Sequence, residues 1–126
     1  MTLALDYGRA RTGVAILEGG IPLPAEPVLG DRRAVLERVR SMLSGDGTDV
    51  VVLGLPLASG RRPTEMSMEV EALAEAIRGL GAGVELVGEW GSSAEVRSMP
   101  VKHRRRTGRT DSLAALVILE RYLARS

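Results

Sequence analysis

The order of apolar runs and turn signals predicts an α/β domain, a five-stranded mixed sheet of three antiparallel strands followed by two helix-linked parallel strands, flanked by helices. Three observations predict it. Leu3 to Leu5 and Val14 to Leu17 are short apolar runs joined closely enough for an antiparallel hairpin, and Glu18-Gly19-Gly20 turns the chain into a third strand. Val50 to Leu53 is a continuous β-branched and aliphatic run, the pattern of a strand covered on both faces. Elsewhere the apolar residues recur at helical spacing, so the later strands are linked through helices and run parallel by right-handed crossovers.

Taken in order, Leu3-Ala4-Leu5 ends on Asp6, and Gly8 and Gly13 allow a tight turn that leaves space above this carboxylate. Ile21 to Val28 contains Pro22, Pro24 and Pro27; proline cannot donate to a ladder, so this strand belongs at an edge. Asp31 can cap a helix whose residues Val35, Leu36, Val39, Met42 and Leu43 fall on one face, and Gly45-Asp46-Gly47 ends it. After Val50 to Leu53, Ala58 to Pro63 reads as a polar basic loop. Pro63 then suits the first turn of a helix with Met66, Val70, Leu73, Ala74 and Ile77 inside, which Gly79, Gly81 and Gly83 stop. Val84 to Val87 is the fifth strand. Ser92 and Glu95 have capping-box spacing, so a short helix is expected from Ser92, over by Pro100. From Asp111 to about Ala124 the chain is helical again, apolar on almost every side and therefore buried against the sheet.

A chain of 126 residues reads as one domain, 1–126, too short for two lobes closing over a nucleotide. It has no run of eighteen apolar residues and no basic leader before a hydrophobic core, so the expected location is cytoplasmic. Cysteine is absent, which removes disulfides, thiolate zinc sites and cysteine nucleophiles. With one histidine, any metal site rests on oxygen ligands, favouring Mg²⁺ or Mn²⁺ over zinc.

Net charge is only +1, with seventeen Lys and Arg against sixteen Asp and Glu, but the charge is segregated. Lys102, Arg104, Arg105, Arg106 and Arg109 fall in one run without an acid, with His103 among them as a further donor, and the rest of the chain is net acidic. Such clustering points to a polyanion, and its position inside the domain favours nucleic acid over a solvated tail. Asp6 and Glu89 are expected at carboxyl ends of strands, where ligands of open α/β sheets bind, and Asp111 at the start of the last helix. Three such carboxylates near one crevice could bind two divalent cations, as phosphoryl chemistry requires. Each also has a plainer reading: Asp6 as a turn residue, Glu89 as a solvated loop acid, Asp111 as a complement to the helix dipole.

The combination Asp6-Tyr7-Gly8 with Arg11 and Gly13, then Val51 through Leu57, then Glu89 before Ser92-Ser93, then Lys102 through Arg106 leading into Asp111-Ser112-Leu113-Ala114-Ala115, resembles the YqgF/RuvX family over essentially the whole chain. The resemblance implies an RNase H-like fold and a metal-dependent nuclease, assigned to maturing the 5′ end of 16S ribosomal RNA and historically called a Holliday junction resolvase. By position, Asp6, Glu89 and Asp111 match the family's acidic residues, and Arg11 matches its arginine in the first hairpin. In one place the chain departs from the pattern. Where the family usually reads Asp-Glu-Arg-Leu/Tyr, this chain has Gly88-Glu89-Trp90-Gly91.

The expected function is therefore a nuclease with Asp6, Glu89 and Asp111 as catalytic and metal-holding groups, and with Arg11 and the residues Lys102, His103, Arg104, Arg105, Arg106 and Arg109 on nucleic acid. Pre-16S rRNA is the first substrate, and a branched DNA junction, cut by a symmetric dimer, the second. Monomer and homodimer both stay open. A binding module with a degenerate site competes, on the grounds of Gly88 and Trp90. An actin-like or sugar-kinase-like ATPase needs two such domains, and this chain has room for one.

Overall fold

In the computed structural model, which describes residues 1–56, 63–88 and 112–125, the sheet is built around β1 (Thr2–Asp6). β2 (Arg11–Glu18) and β3 (Ile21–Leu29) follow it as antiparallel hairpins. β4 (Val50–Leu55) and β5 (Gly83–Gly88) add on the other side of β1, both parallel to it, giving the order β3-β2-β1-β4-β5. This is the predicted mixed sheet, with the proline-bearing third strand at an edge. Among the described residues the helices are α1 (Arg32–Met42), α2 (Glu65–Arg78) and α3 (Leu113–Leu123). None of them is long and apolar enough to cross a membrane.

Strand alternation divides the side chains between two faces. On one, Leu3 and Leu5 of β1, Val14 of β2 and Val51 and Leu53 of β4 meet Val35 and Val39 of α1 and Val70, Leu73, Ala74 and Ile77 of α2. On the other, Ala4, Ala15, Val52 and Val87 meet Ala115, Ile118 and Leu119 of α3. The β-branched run of β4 is continuous because both faces are covered. Val51 and Leu53 enter the first cluster and Val52 the second, all fully buried, each contributing on the order of 1.5–3 kcal/mol of transfer free energy.

Local signals explain most element ends. Asp31 caps α1, its carboxylate accepting from the Arg33 and Ala34 amides at 3.1 and 3.3 Å, which contributes about 1 kcal/mol. The start of α2 corrects the expectation that Pro63 opens the helix. Thr64 is the N-cap: its hydroxyl accepts from the Ser67 amide at 3.0 Å, and Ser67 Oγ accepts from the Thr64 amide at 2.7 Å. That reciprocal bonding buries Ser67 in the first turn, while Met66 is only half-buried. β4 runs through Gly54 and Leu55, two residues beyond the predicted Leu53, because β5 pairs with it to its end. The expected helix from Ser92 and the helix start at Asp111 lie outside the described residues, as does most of the loop from Ala58.

Candidate active site at the carboxyl ends of the strands

β1, β4 and β5 are parallel, so their carboxyl ends share one rim of the sheet. Asp6 is the last residue of β1, the central strand, half-buried and paired across the ladder with Gly13 of β2. By alternation its side chain follows Ala4, onto the face that α3 covers. β4 ends at Leu55, in register with Gly88, the last residue of β5. α3 also begins at this rim, where the Ser112 hydroxyl accepts from the Val14 amide at 3.0 Å, and Val14 pairs with Leu5, one residue before Asp6.

The rim therefore gathers Asp6, the end of β5 and the start of α3. Glu89 follows Gly88 in sequence and Asp111 precedes Ser112, and both lie outside the described residues. So do Lys102, His103, Arg104, Arg105, Arg106 and Arg109. Arg11 is described: it opens β2, exposed, opposite Leu29 of β3. Among the described residues no three His, Cys, Asp or Glu side chains come close enough to hold a metal ion.

The turn that follows Asp6 is rigid for local reasons. A Cβ on Gly8 would collide with the Arg11 carbonyl oxygen, so only glycine lets the chain close there. Thr12, fully buried, accepts from the Gly8 amide at 3.3 Å and donates to its carbonyl at 3.4 Å. Arg9 reaches from the turn to α2, donating through Nε to Glu69 at 2.8 Å and through its terminal nitrogen to the same oxygen. Arg9 holds the Glu69 carboxyl below its usual range, first through this hydrogen bond, and Glu69 raises Arg9 in turn. Solvent screens so exposed a pair, and its role is to tie the turn to α2. Burial, then the Glu69 charge, pushes the Tyr7 hydroxyl above its ordinary pKa.

Tyr7, Arg9, Asp31, Arg32, Arg33, Leu36 and Glu69 line an open groove of about 660 Å³. Tyr7 packs against the cluster under α1 and α2, so the groove lies on the opposite face from Ala4 and Asp6. Its three arginines stand among two acids, Asp31 and Glu69, the latter paired with Arg9. Two further groups at the rim escape sequence reading. Ser112 is one. The other is Arg121 of α3, which donates to the carbonyl of Gly88, the last residue of β5, at 3.4 Å. Ser112 falls within a stretch that carries the family resemblance, but no local pattern assigns either residue its contact, because each partner is a backbone group far along the chain.

Comparison with known proteins adds the following. The family model described as RuvX, Holliday junction resolvase, matches residues 1–125. A protein of Thermus thermophilus named "Putative pre-16S rRNA nuclease" is 36% identical over 129 residues, covering 97% of this chain and 96% of its own. A protein of the same name from Bordetella avium is 34% identical over 130 residues, covering 98% of this chain and 94% of its own. The solved structure of Thermus thermophilus RuvC superposes with a TM-score of 0.56 at 15% identity, over 98% of this chain and 95% of that one. At that identity the likeness concerns the fold, which is RNase H-like, as expected from the sequence.

Proposed function

The chain belongs to the RuvX family, and from that premise we propose that it is a nuclease that hydrolyses phosphodiester bonds, with precursor 16S ribosomal RNA as its first substrate. The observation that carries this reading is the position of Asp6, a carboxylate at the end of the central strand, on the rim where β5 ends and α3 begins.

Asp6, Glu89 and Asp111 are the groups that would hold Mg²⁺ or Mn²⁺. A set of carboxylates in a chain without cysteine suits these hard cations. When bound, such ions supply charge neutralisation for the phosphodiester and a water of lowered pKa. The protein's own contribution is geometric. The Asp6 backbone is fixed by the β1–β2 ladder, and the turn after it is closed by Gly8, Thr12 and the Arg9–Glu69 pair. Arg11 and the run Lys102, His103, Arg104, Arg105, Arg106 and Arg109 hold the strand through its phosphates.

The family's description as a Holliday junction resolvase makes a branched DNA junction the second substrate. The test is to incubate the protein and Asp6→Asn with labelled single-stranded RNA, precursor ribosomal RNA and a four-way DNA junction, in Mg²⁺, Mn²⁺ or EDTA. Metal-dependent cleavage of the precursor, reduced by more than about 100-fold in Asp6→Asn, is expected, since even supporting residues of metal sites change activity by about 10–100-fold. Wild-type cleavage by Asp6→Asn overturns the assignment, cleavage of the junction alone changes the substrate, and binding without cleavage makes the protein a binding module. In the same assay, replacing Arg104, Arg105 and Arg106 by alanine flattens the salt dependence of binding, by up to about one unit of slope for each phosphate no longer neutralised. An unchanged slope removes the run from the substrate path.

A further inference from the structure

The start of α3 is held to the sheet by a contact that the nuclease reading leaves unused. A serine at an N-cap ordinarily accepts from an amide in the first turn of its own helix. Ser112 makes no such bond. Its fully buried hydroxyl accepts from the Val14 amide at 3.0 Å and donates to the Ala25 carbonyl at 2.6 Å, bridging β2 and β3 at paired positions.

That pair marks a break in register. Thr12 faces Val28 and Val14 faces Ala25, so Gly13 alone stands opposite Glu26 and Pro27, a bulge on β3. Arg38 of α1 donates to both bulge carbonyls, Glu26 O at 2.9 Å and Pro27 O at 3.4 Å. Gly13 is also the cross-strand partner of Asp6. Bulge, hydroxyl bridge and Asp6 thus occupy one level of the sheet on neighbouring strands.

We propose that Ser112 is a positioning residue, its hydroxyl inserted between β2 and β3 at the bulge so as to set the start of α3 relative to the Asp6 carboxylate. This rests on the nuclease reading and deepens it. The other contacts of α3 with the sheet are largely apolar, and apolar packing is non-directional, so it resists separation better than sliding or rotation. Two hydrogen bonds to backbone groups of different strands fix the helix start in distance and direction. Asp111 is joined to Ser112 by a single peptide unit, so a displaced helix start changes its relation to Asp6. Bulges beside active sites commonly re-aim a side chain; here the bulge receives one.

The test uses the full chain with Mn²⁺ alone, reading metal affinity, hydrogen exchange of the Val14 amide, and cleavage with kcat and KM separated. In Ser112→Ala the Val14 amide exchanges faster, Mn²⁺ affinity falls by about tenfold or more, and kcat falls while KM for RNA holds, the scale seen when groups supporting metal ligands are removed. Val39→Ala, a cavity under α1, controls for general destabilisation and keeps wild-type Mn²⁺ affinity. Ser112→Cys ranks between serine and alanine, a thiol being a weak donor and acceptor, and replaces the alanine variant should that one fail to fold. Either Ser112 variant, folded and with a faster-exchanging Val14 amide yet binding Mn²⁺ as the wild type does, overturns the proposal. Asp111→Asn separates the two levels. If it keeps wild-type affinity and cleavage, its nuclease role and this inference fall together; if it loses both while the Ser112 variants lose neither, only the inference falls.

Discussion

Under α1 and α2 the sheet presents Leu3, Leu5, Val14, Val51 and Leu53, whereas under α3 it presents Ala4, Ala15, Val52 and Val87. The first face buries large side chains between two helices and the sheet, which is where most of the apolar stabilisation lies. The second mixes alanines, Ala4 and Ala15 in the strands and Ala115 in the helix, with Val52, Val87, Ile118 and Leu119. On this face the short side chain of Ser112 reaches the backbone of both β2 and β3. Asp6 follows Ala4 onto this second face. Both faces bury fully covered side chains, and it is the second that carries Asp6 and the start of α3.

The largest effect expected from this division comes from damaging each face in its own way. Leu53→Ala leaves a cavity in the large cluster and costs about 2–5 kcal/mol, measured by denaturant titration, with cleavage per folded molecule unchanged. Ala15→Leu overpacks the face under α3, costing about 1–3 kcal/mol, and lifts the helix start, so Mn²⁺ affinity falls as well. Equal losses of Mn²⁺ affinity in the two variants at the same folded fraction would break the division.

A smaller effect is expected at Gly88. Its backbone is ordinary strand, not positive φ, and a Cβ there meets no atom within 4 Å among the described residues. Among the described residues nothing obstructs an aspartate there, the residue that the family resemblance places at this position. Gly88→Asp with Trp90→Arg should lower the metal concentration for half-maximal cleavage by about tenfold, within the 10–100-fold range of supporting residues. An unchanged metal titration, with folding verified, means that Glu89 works without help from its neighbours.

The smallest effect belongs to the opposite end of the strands. Asp49, buried beside the start of β4, accepts from the Ser44 and Gly45 amides, each at 3.0 Å, and these bonds hold its carboxyl below the usual range. A folded-state pKa below the unfolded one contributes stability that is complete above about pH 4 and is lost as pH falls through the folded value. Asp49→Asn should therefore melt below the wild type at pH 7, and the gap should close on acidification, with cleavage per folded molecule unaffected. A gap that stays constant down to about pH 3, below the ordinary carboxylate range, contradicts the assignment.

The two faces also differ in how much of them is legible in the sequence. The sheet is legible, because alternation, proline content and glycine-bounded turns are local: Pro22, Pro24 and Pro27 mark an edge strand wherever they occur. Asp31 as a cap is legible for the same reason. Pro63 misleads because proline suits the residue before an N-cap as well as the first helical position, and only the Thr64–Ser67 exchange of bonds decides between them. Asp6 stands out as a carboxylate closing an apolar run. Ser112 and Arg38 do not, since each acts on backbone groups of a bulge whose existence depends on how β2 and β3 align. No periodicity reports that alignment.

Whether Asp6 belongs to a divalent-cation site at the strand rim is decided by titrating Mn²⁺ into the wild type and Asp6→Asn, with calorimetry and the electron-spin signal of free Mn²⁺ as readouts. Substrate identity does not enter this measurement. With Asp6 in such a site, Mn²⁺ binding is saturable in the wild type and displaced by Mg²⁺, and affinity is reduced by more than about tenfold in a folded Asp6→Asn. Equal affinity in the two proteins, or no saturable binding in the wild type, contradicts that assignment.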